Sequence, residues 1–222
     1  MAYTMYSQLD DRWQRIKLGE SSSTIGKYGC LLCAVASGLT DMGVLVHELP
    51  PDPPRLNRWL ARNKGFTGAS GSRNLFVFDS MRALNVGLVD YIDARRRPAP
   101  YERIEPALAR DNQFVVVQVD FSPGGRTAEQ HWVRAITWHD LDLKIMDPWI
   151  TGPSQQAYLM TRYALPSWED MSRSIYRIAI YQVEEREEEE GEGEDTDFPV
   201  STGPRRWIVQ EALSPYQPYS LA

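Results

Sequence analysis

Two cysteines and three histidines in 222 residues leave little material for disulfide or metal chemistry. Cys30 and Cys33 sit three positions apart, which rules out a framework of structural disulfides and points to a reducing compartment. A zinc site would need two further ligands, and the sequence has neither a second CxxC nor a close pair of histidines. Thioredoxin-like redox chemistry would need a strand leading into the CxxC, whereas a serine-rich loop precedes it. Long apolar runs are also missing. Phe114 to Val117 is among the longest, far short of the roughly 20 residues of a membrane-spanning helix. The first residues, Met1-Ala2-Tyr3-Thr4-Met5-Tyr6, carry neither the basic stretch nor the apolar core of a secretory signal, so the expected location is cytoplasmic as synthesised, with no membrane insertion. No cofactor is expected.

The net charge of −6 hides an uneven distribution. Glu184 to Asp197 holds ten acidic residues and one arginine, a local balance of −9, which leaves the remainder at +3. The sharpest cationic cluster is Arg95-Arg96-Arg97, followed by Pro98; it reads as a solvated loop, and no nucleic-acid partner is expected. The acidic segment is too charged to fold by itself. Beyond it, Phe198, Trp207, Ile208, Val209, Leu213, Tyr216 and Tyr219 are interspersed with prolines, as in a tail that docks on a protein partner. The expected division is a folded domain over residues 1 to 183, an acidic linker over 184 to 197 and an aromatic, proline-rich tail over 198 to 222.

Within the folded part, helices precede a sheet. Cys30 to about Met42 carries apolar residues at 31, 32, 35, 36 and 39 and ends near Gly43, which predicts a buried central helix. Pro54 is placed to open a second helix through Arg62, and a third is expected from Tyr101 to Arg110. Asp79 or Ser80 suits the cap of a short helix ending at Leu84, and Val86 to Ile92 reads as a strand. Gln113 to Phe121, His131 to Trp138 and Asp142 to Met146 read as an antiparallel meander, with Tyr158 to Tyr163 and Tyr176 to Val183 as further strands. The expected class is α+β, with the helix of Cys30 packed on the sheet.

Cys30 follows Gly29 at a helix start, where unpaired N–H groups and the helix dipole favour a thiolate. A thiol nucleophile needs a histidine base, and the base needs an acceptor to fix its tautomer. His47 lies in a loop before a proline cluster and His139 in a turn beside Asp140. His131 heads a strand, and one strand later Asp147-Pro148-Trp149 would bring a carboxylate beside it and a tryptophan over it. Gln8 offers a side-chain amide to an oxyanion, with the backbone N–H of Cys30 as a second donor. Cys33, one turn along the helix, reads as a small buried apolar residue.

Taken together, Ser7-Gln8-Leu9-Asp10-Asp11-Arg12-Trp13, Gly29-Cys30, His131-Trp132-Val133 and Asp147-Pro148-Trp149 resemble the C39-like group of papain-fold cysteine peptidases over residues 6 to 183. The resemblance implies a papain-like fold, and a thiol peptidase with Gln8 at the oxyanion hole, Cys30 as nucleophile, His131 as base and Asp147 as its orienting group. It also implies a stand-alone enzyme of phage or bacterial type, acting on peptide or on cell-wall peptidoglycan and released or associated with a virion. Leu31-Leu32-Cys33 departs from the small polar run that follows the nucleophile in many members. A peptidase fold retained as a catalytically silent binding or structural module in a larger assembly is the competing expectation.

Overall fold

The structure is a computed structural model that describes residues 3–95, 98–123, 129–140, 142–152, 156–167 and 171–184. The acidic segment beyond Glu184 and the aromatic tail lie outside the described residues, as do Arg96 and Arg97. Among the described residues no helix is long and apolar enough to cross a membrane.

Three helices and a short strand pair precede the first strand of the main sheet. A single turn, α1 (Ile25–Tyr28), runs into α2 (Cys30–Asp41), and α3 (Pro53–Arg62) follows. Both Pro53 and Pro54 lie inside α3, because Asp52 caps it by accepting a bond from the Arg55 N–H at 2.8 Å and no N–H is needed from either proline. The glycine-rich stretch after α3 contains a short antiparallel pair, β1 (Phe66–Thr67) with β2 (Leu75–Phe76). The turn near Leu84 is a single 3₁₀ turn, Arg82–Leu84, without a side-chain cap; Asp79 pairs with Arg82 instead.

The sheet comprises β3 (Val86–Asp93), β4 (Gln113–Asp120), β5 (Gln130–His139), β6 (Asp142–Met146), β7 (Gln156–Tyr158) and β8 (Ile175–Val183), in the order β3-β8-β4-β5-β6-β7, with every neighbouring pair antiparallel. The meander from β4 to β7 matches the expected short connections. The last strand does not extend it: β8 returns to the middle, between β3 and β4. The stretch from Tyr158 to Tyr163, expected as a strand, ends its pairing at Tyr158 and continues as α5 (Leu159–Tyr163).

Both faces of the sheet are covered, and the alternation of side chains along β4 sorts them. Phe114 and Val116 join Trp132, Ala179 and Tyr181 against α2 and α3. Val115, Val117 and Val119 join Val133, Ala135, Ile145 and Ile178 against α4 (Tyr101–Leu108) and α5. Every residue of β4 is buried, which is why Phe114 to Val119 is an apolar run interrupted only by Gln118. The result is a mixed helix and sheet domain built on an antiparallel sheet. Ten of the twelve residues of α2 are buried. Its approach to β4 depends on Gly38, where a Cβ would stand 2.3 Å from the Phe114 ring. A buried polar cluster ties the same helix to β5 and to the N-terminal arm. Arg134 forms an ion pair with Asp41 and donates to Ser37 at 2.9 Å, while Ser37 donates to the Thr4 carbonyl at 2.6 Å.

Candidate functional site

Cys30 is the first residue of α2, so its backbone N–H has no acceptor within the helix. The chain reaches it through a very tight junction. Gly29 donates its N–H to the Ile25 carbonyl at 2.7 Å, and a Cβ on Gly29 would stand only 2.5 Å from that oxygen. Glycine is therefore required by close approach rather than by an unusual dihedral angle. The Cys30 side chain is almost fully buried, at 4% exposure.

His131 is the second residue of β5 and Asp147 the residue immediately after β6. The last paired positions of these strands are Arg134 and Met146. Beyond them β5 and β6 no longer pair with each other, although His131 stays opposite Val119 of β4, and the imidazole and carboxylate close the gap: His131 Nε2 lies 2.8 Å from Asp147 Oδ1. With Nε2 so engaged, Nδ1 is the ring nitrogen left for a further partner, and Cys30 is among the groups that raise His131. Burial disfavours the imidazolium, but the Asp147 carboxylate and Cys30 outweigh it and push His131 up to about 9. Burial likewise works against ionisation of Asp147. His131, the Tyr163 hydroxyl and the Trp149 N–H overcome it and hold the carboxyl below its usual range.

Asp147 is completely buried, and both of its oxygens are occupied. Oδ1 also accepts the Trp149 N–H at 2.9 Å; Oδ2 accepts the Tyr163 O–H at 2.5 Å and faces Arg162 Nε at 3.0 Å. The imidazole stands among aromatic rings. Phe121 meets it edge-on, with centroids 5.3 Å apart, and the Tyr163 ring centroid is 5.7 Å away. The Trp149 ring, expected to lie over the ion pair, packs edge-on against Phe121. Such a setting excludes water and strengthens the charge interaction between His131 and Asp147.

Gln8 reaches this region because its arm is bonded to it at two points. Its N–H donates to the Pro148 carbonyl at 2.7 Å, and Ser7 Oγ donates to the same oxygen at 3.1 Å. The Gln8 side chain is buried and donates from Nε2 to the Gly26 carbonyl at 2.8 Å. That bond uses one of the two amide hydrogens. The arm thus spans from the Asp147-Pro148 corner to the turn that leads into Cys30.

The other histidines are elsewhere. His47 is exposed in a tight turn at φ 51°, and His139 is exposed beside Asp140 at 3.3 Å. Cys33 is fully buried, and burial together with the neighbouring Cys30 pushes its thiol well above the usual value. Three residues at the site have no signal in the sequence: Phe121, Arg162 and Tyr163. The last two were obscured by the strand-like look of the segment that contains them, and only the unwinding of β7 into α5 turns them towards Asp147.

No protein-family model matches the chain, and no curated protein matches it either. Among solved structures, a crystal structure from Bacillus anthracis described as a "putative C39-like peptidase" aligns with 82% of this chain and 95% of its own, at 18% sequence identity and a TM-score of 0.45.

Proposed function

We propose that the protein is a cysteine peptidase of papain-like fold that hydrolyses amide bonds through Cys30, His131 and Asp147. The observation that carries this reading is the single imidazole of His131, bonded to a buried carboxylate through Nε2 and interacting with a helix-start thiol.

In this mechanism His131 takes the thiol proton, and the Cys30 sulfur attacks the carbonyl carbon of the scissile amide. The C–N bond breaks as the imidazolium returns its proton to the leaving amine. Water, deprotonated by the now neutral His131, then cleaves the thioester, and Cys30 is regenerated. Asp147 fixes the ring and favours its charged form. The carbonyl oxygen, negatively charged in each tetrahedral intermediate, accepts from the Cys30 N–H and from the second Gln8 amide hydrogen. Peptide, or the peptide portion of peptidoglycan, is the substrate class of this proposal.

The test is an activity screen of the full chain on peptide libraries and purified peptidoglycan, with Cys30→Ala as control. In parallel, an alkylating electrophile should label Cys30 at neutral pH faster than it labels a free thiol, and His131→Ala should suppress the difference. Equal labelling of Cys30 and a simple thiol would sink the peptidase reading and leave a binding module.

A further inference from the structure

We propose that Tyr163 and Arg162, consecutive residues at the end of α5, are positioning residues that lock the Asp147 carboxylate so that one oxygen stays aimed at His131. The inference rests on the thiol-peptidase reading above and extends it beyond the four residues visible in the sequence.

A carboxylate has about four lone-pair directions. On Asp147 each has a partner: His131 Nε2 and the Trp149 N–H on Oδ1, the Tyr163 hydroxyl and Arg162 Nε on Oδ2. Rotation of the carboxylate away from the imidazole would break bonds at both oxygens at once. Because Asp147 is fully buried, water cannot replace what is lost. The donors come from different elements: the imidazole from β5, the Trp149 N–H from the turn after β6, and Tyr163 and Arg162 from α5. The position of the carboxyl group is thus fixed by three separate parts of the fold.

The two side chains contribute differently. Burial and the adjacent carboxylate push the Tyr163 hydroxyl up, so it remains a proton donor throughout. Arg162 supplies a permanent positive charge, which matters when His131 gives up its proton. At that stage a buried carboxylate with no cation nearby would tend to take up a proton itself. Arg162 Nε stands 3.0 Å from Oδ2, where its charge opposes protonation of the carboxylate when His131 is neutral. Arg162 is a surface residue whose side chain is 31% exposed, so its outer guanidinium nitrogens can remain hydrated while Nε faces the carboxylate.

The experiment uses the full chain with iodoacetamide as the probe, and measures the rate of Cys30 alkylation against pH for the wild type, His131→Ala, Tyr163→Phe, Arg162→Gln and Arg162→Lys. Tyr163→Phe removes only the hydroxyl, so the ring packing on His131 is kept. If the carboxylate needs both donors, Tyr163→Phe and Arg162→Gln each move the midpoint of the labelling profile up by about one pH unit, so that labelling on its acid side falls about tenfold. Arg162→Lys, which keeps the charge, recovers most of that loss. A purely structural role would lower thermal stability and leave the pH profile in place. Profiles of Tyr163→Phe and Arg162→Gln that coincide with the wild type, while His131→Ala shifts its own, would overturn the positioning role and spare the peptidase reading. A His131→Ala profile identical to the wild type would overturn both.

Discussion

The side-chain amide of Gln8 donates to the carbonyl of Gly26, 2.8 Å away, so a residue from the N-terminal arm is clamped to the turn that leads into Cys30. Its Oε1 is buried with no hydrogen-bond partner among the described residues. Reversing the amide would place two oxygens against each other at Gly26, so the orientation is fixed by chemistry. The remaining hydrogen on Nε2 is therefore held in a set direction before any substrate arrives, as an oxyanion donor must be.

Gln8→Ala should lower kcat about 100-fold with little change in KM, the range found when one oxyanion donor is removed. The rate of Cys30 alkylation should stay near that of the wild type, because iodoacetamide builds no oxyanion at a carbonyl carbon. An equal loss of both rates would mean that Gln8 serves only to hold the arm in place.

The pH behaviour follows from His131 and Asp147. His131 is raised to about 9 from 6.5, so its contribution to stability is complete below 6.5 and is lost as pH rises through about 9. Asp147 is lowered from 3.8, so its contribution is complete above 3.8 and is lost as pH falls through the depressed value. If the proposed hydrolysis takes place, its rate should show an alkaline limb near 9, where the imidazolium that would protonate the leaving amine is lost. Urea midpoints for wild type and His131→Asn, compared at pH 6 and pH 10, should converge at the higher pH. A constant gap between the two would contradict the assigned shift.

Much of this arrangement can be traced to particular residues in the sequence. Cys30 after a glycine, His131 at a strand start and Asp147 before a proline each sit where a local signal marks an element boundary, and side chains at boundaries can leave the ladder and face one another. The apolar run Phe114 to Val117 likewise announces a strand buried on both faces. What stayed hidden depends on long-range pairing. Nothing near Tyr176 says that β8 inserts between β3 and β4, since the partners lie 56 to 97 residues upstream. The segment Tyr158 to Tyr163 has strand-like composition, and only its packing on β6 makes the last five residues helical. Tyr163 and Arg162 were concealed for that reason.

The ion pair of Arg134 and Asp41 joins β5 to the end of α2, three residues from His131 in sequence. Both side chains are largely buried, and burial lowers the Arg134 guanidinium while Asp41 holds it charged. Removing one partner leaves the other charge buried and unpaired. Arg134→Ala should therefore destabilise the fold by about 3–5 kcal/mol, measured by urea unfolding, whereas the double change Arg134→Met with Asp41→Leu should recover a large part of it. Equal losses in the single and double variants would show that the pair is not coupled.

Gly38 sets how closely α2 can lie on β4. A helix interior ordinarily gains about 1 kcal/mol when glycine becomes alanine. Here the added Cβ would stand 2.3 Å from Cδ2 and 2.6 Å from Cγ of the Phe114 ring, which is itself stacked on Tyr181 with centroids 4.9 Å apart and cannot retreat without disturbing the next strand. The overlap should dominate, so that Gly38→Ala costs about 1–3 kcal/mol rather than stabilising the protein. Phe114→Leu in the same chain would relieve the contact, and the double variant should be more stable than the sum of the two single changes predicts. Because α2 also carries Cys30, the displaced helix in Gly38→Ala should slow alkylation of that thiol, and Phe114→Leu should restore it. Additive stabilities, with Cys30 labelling unchanged throughout, would show that the helix can shift on the sheet without moving its first turn.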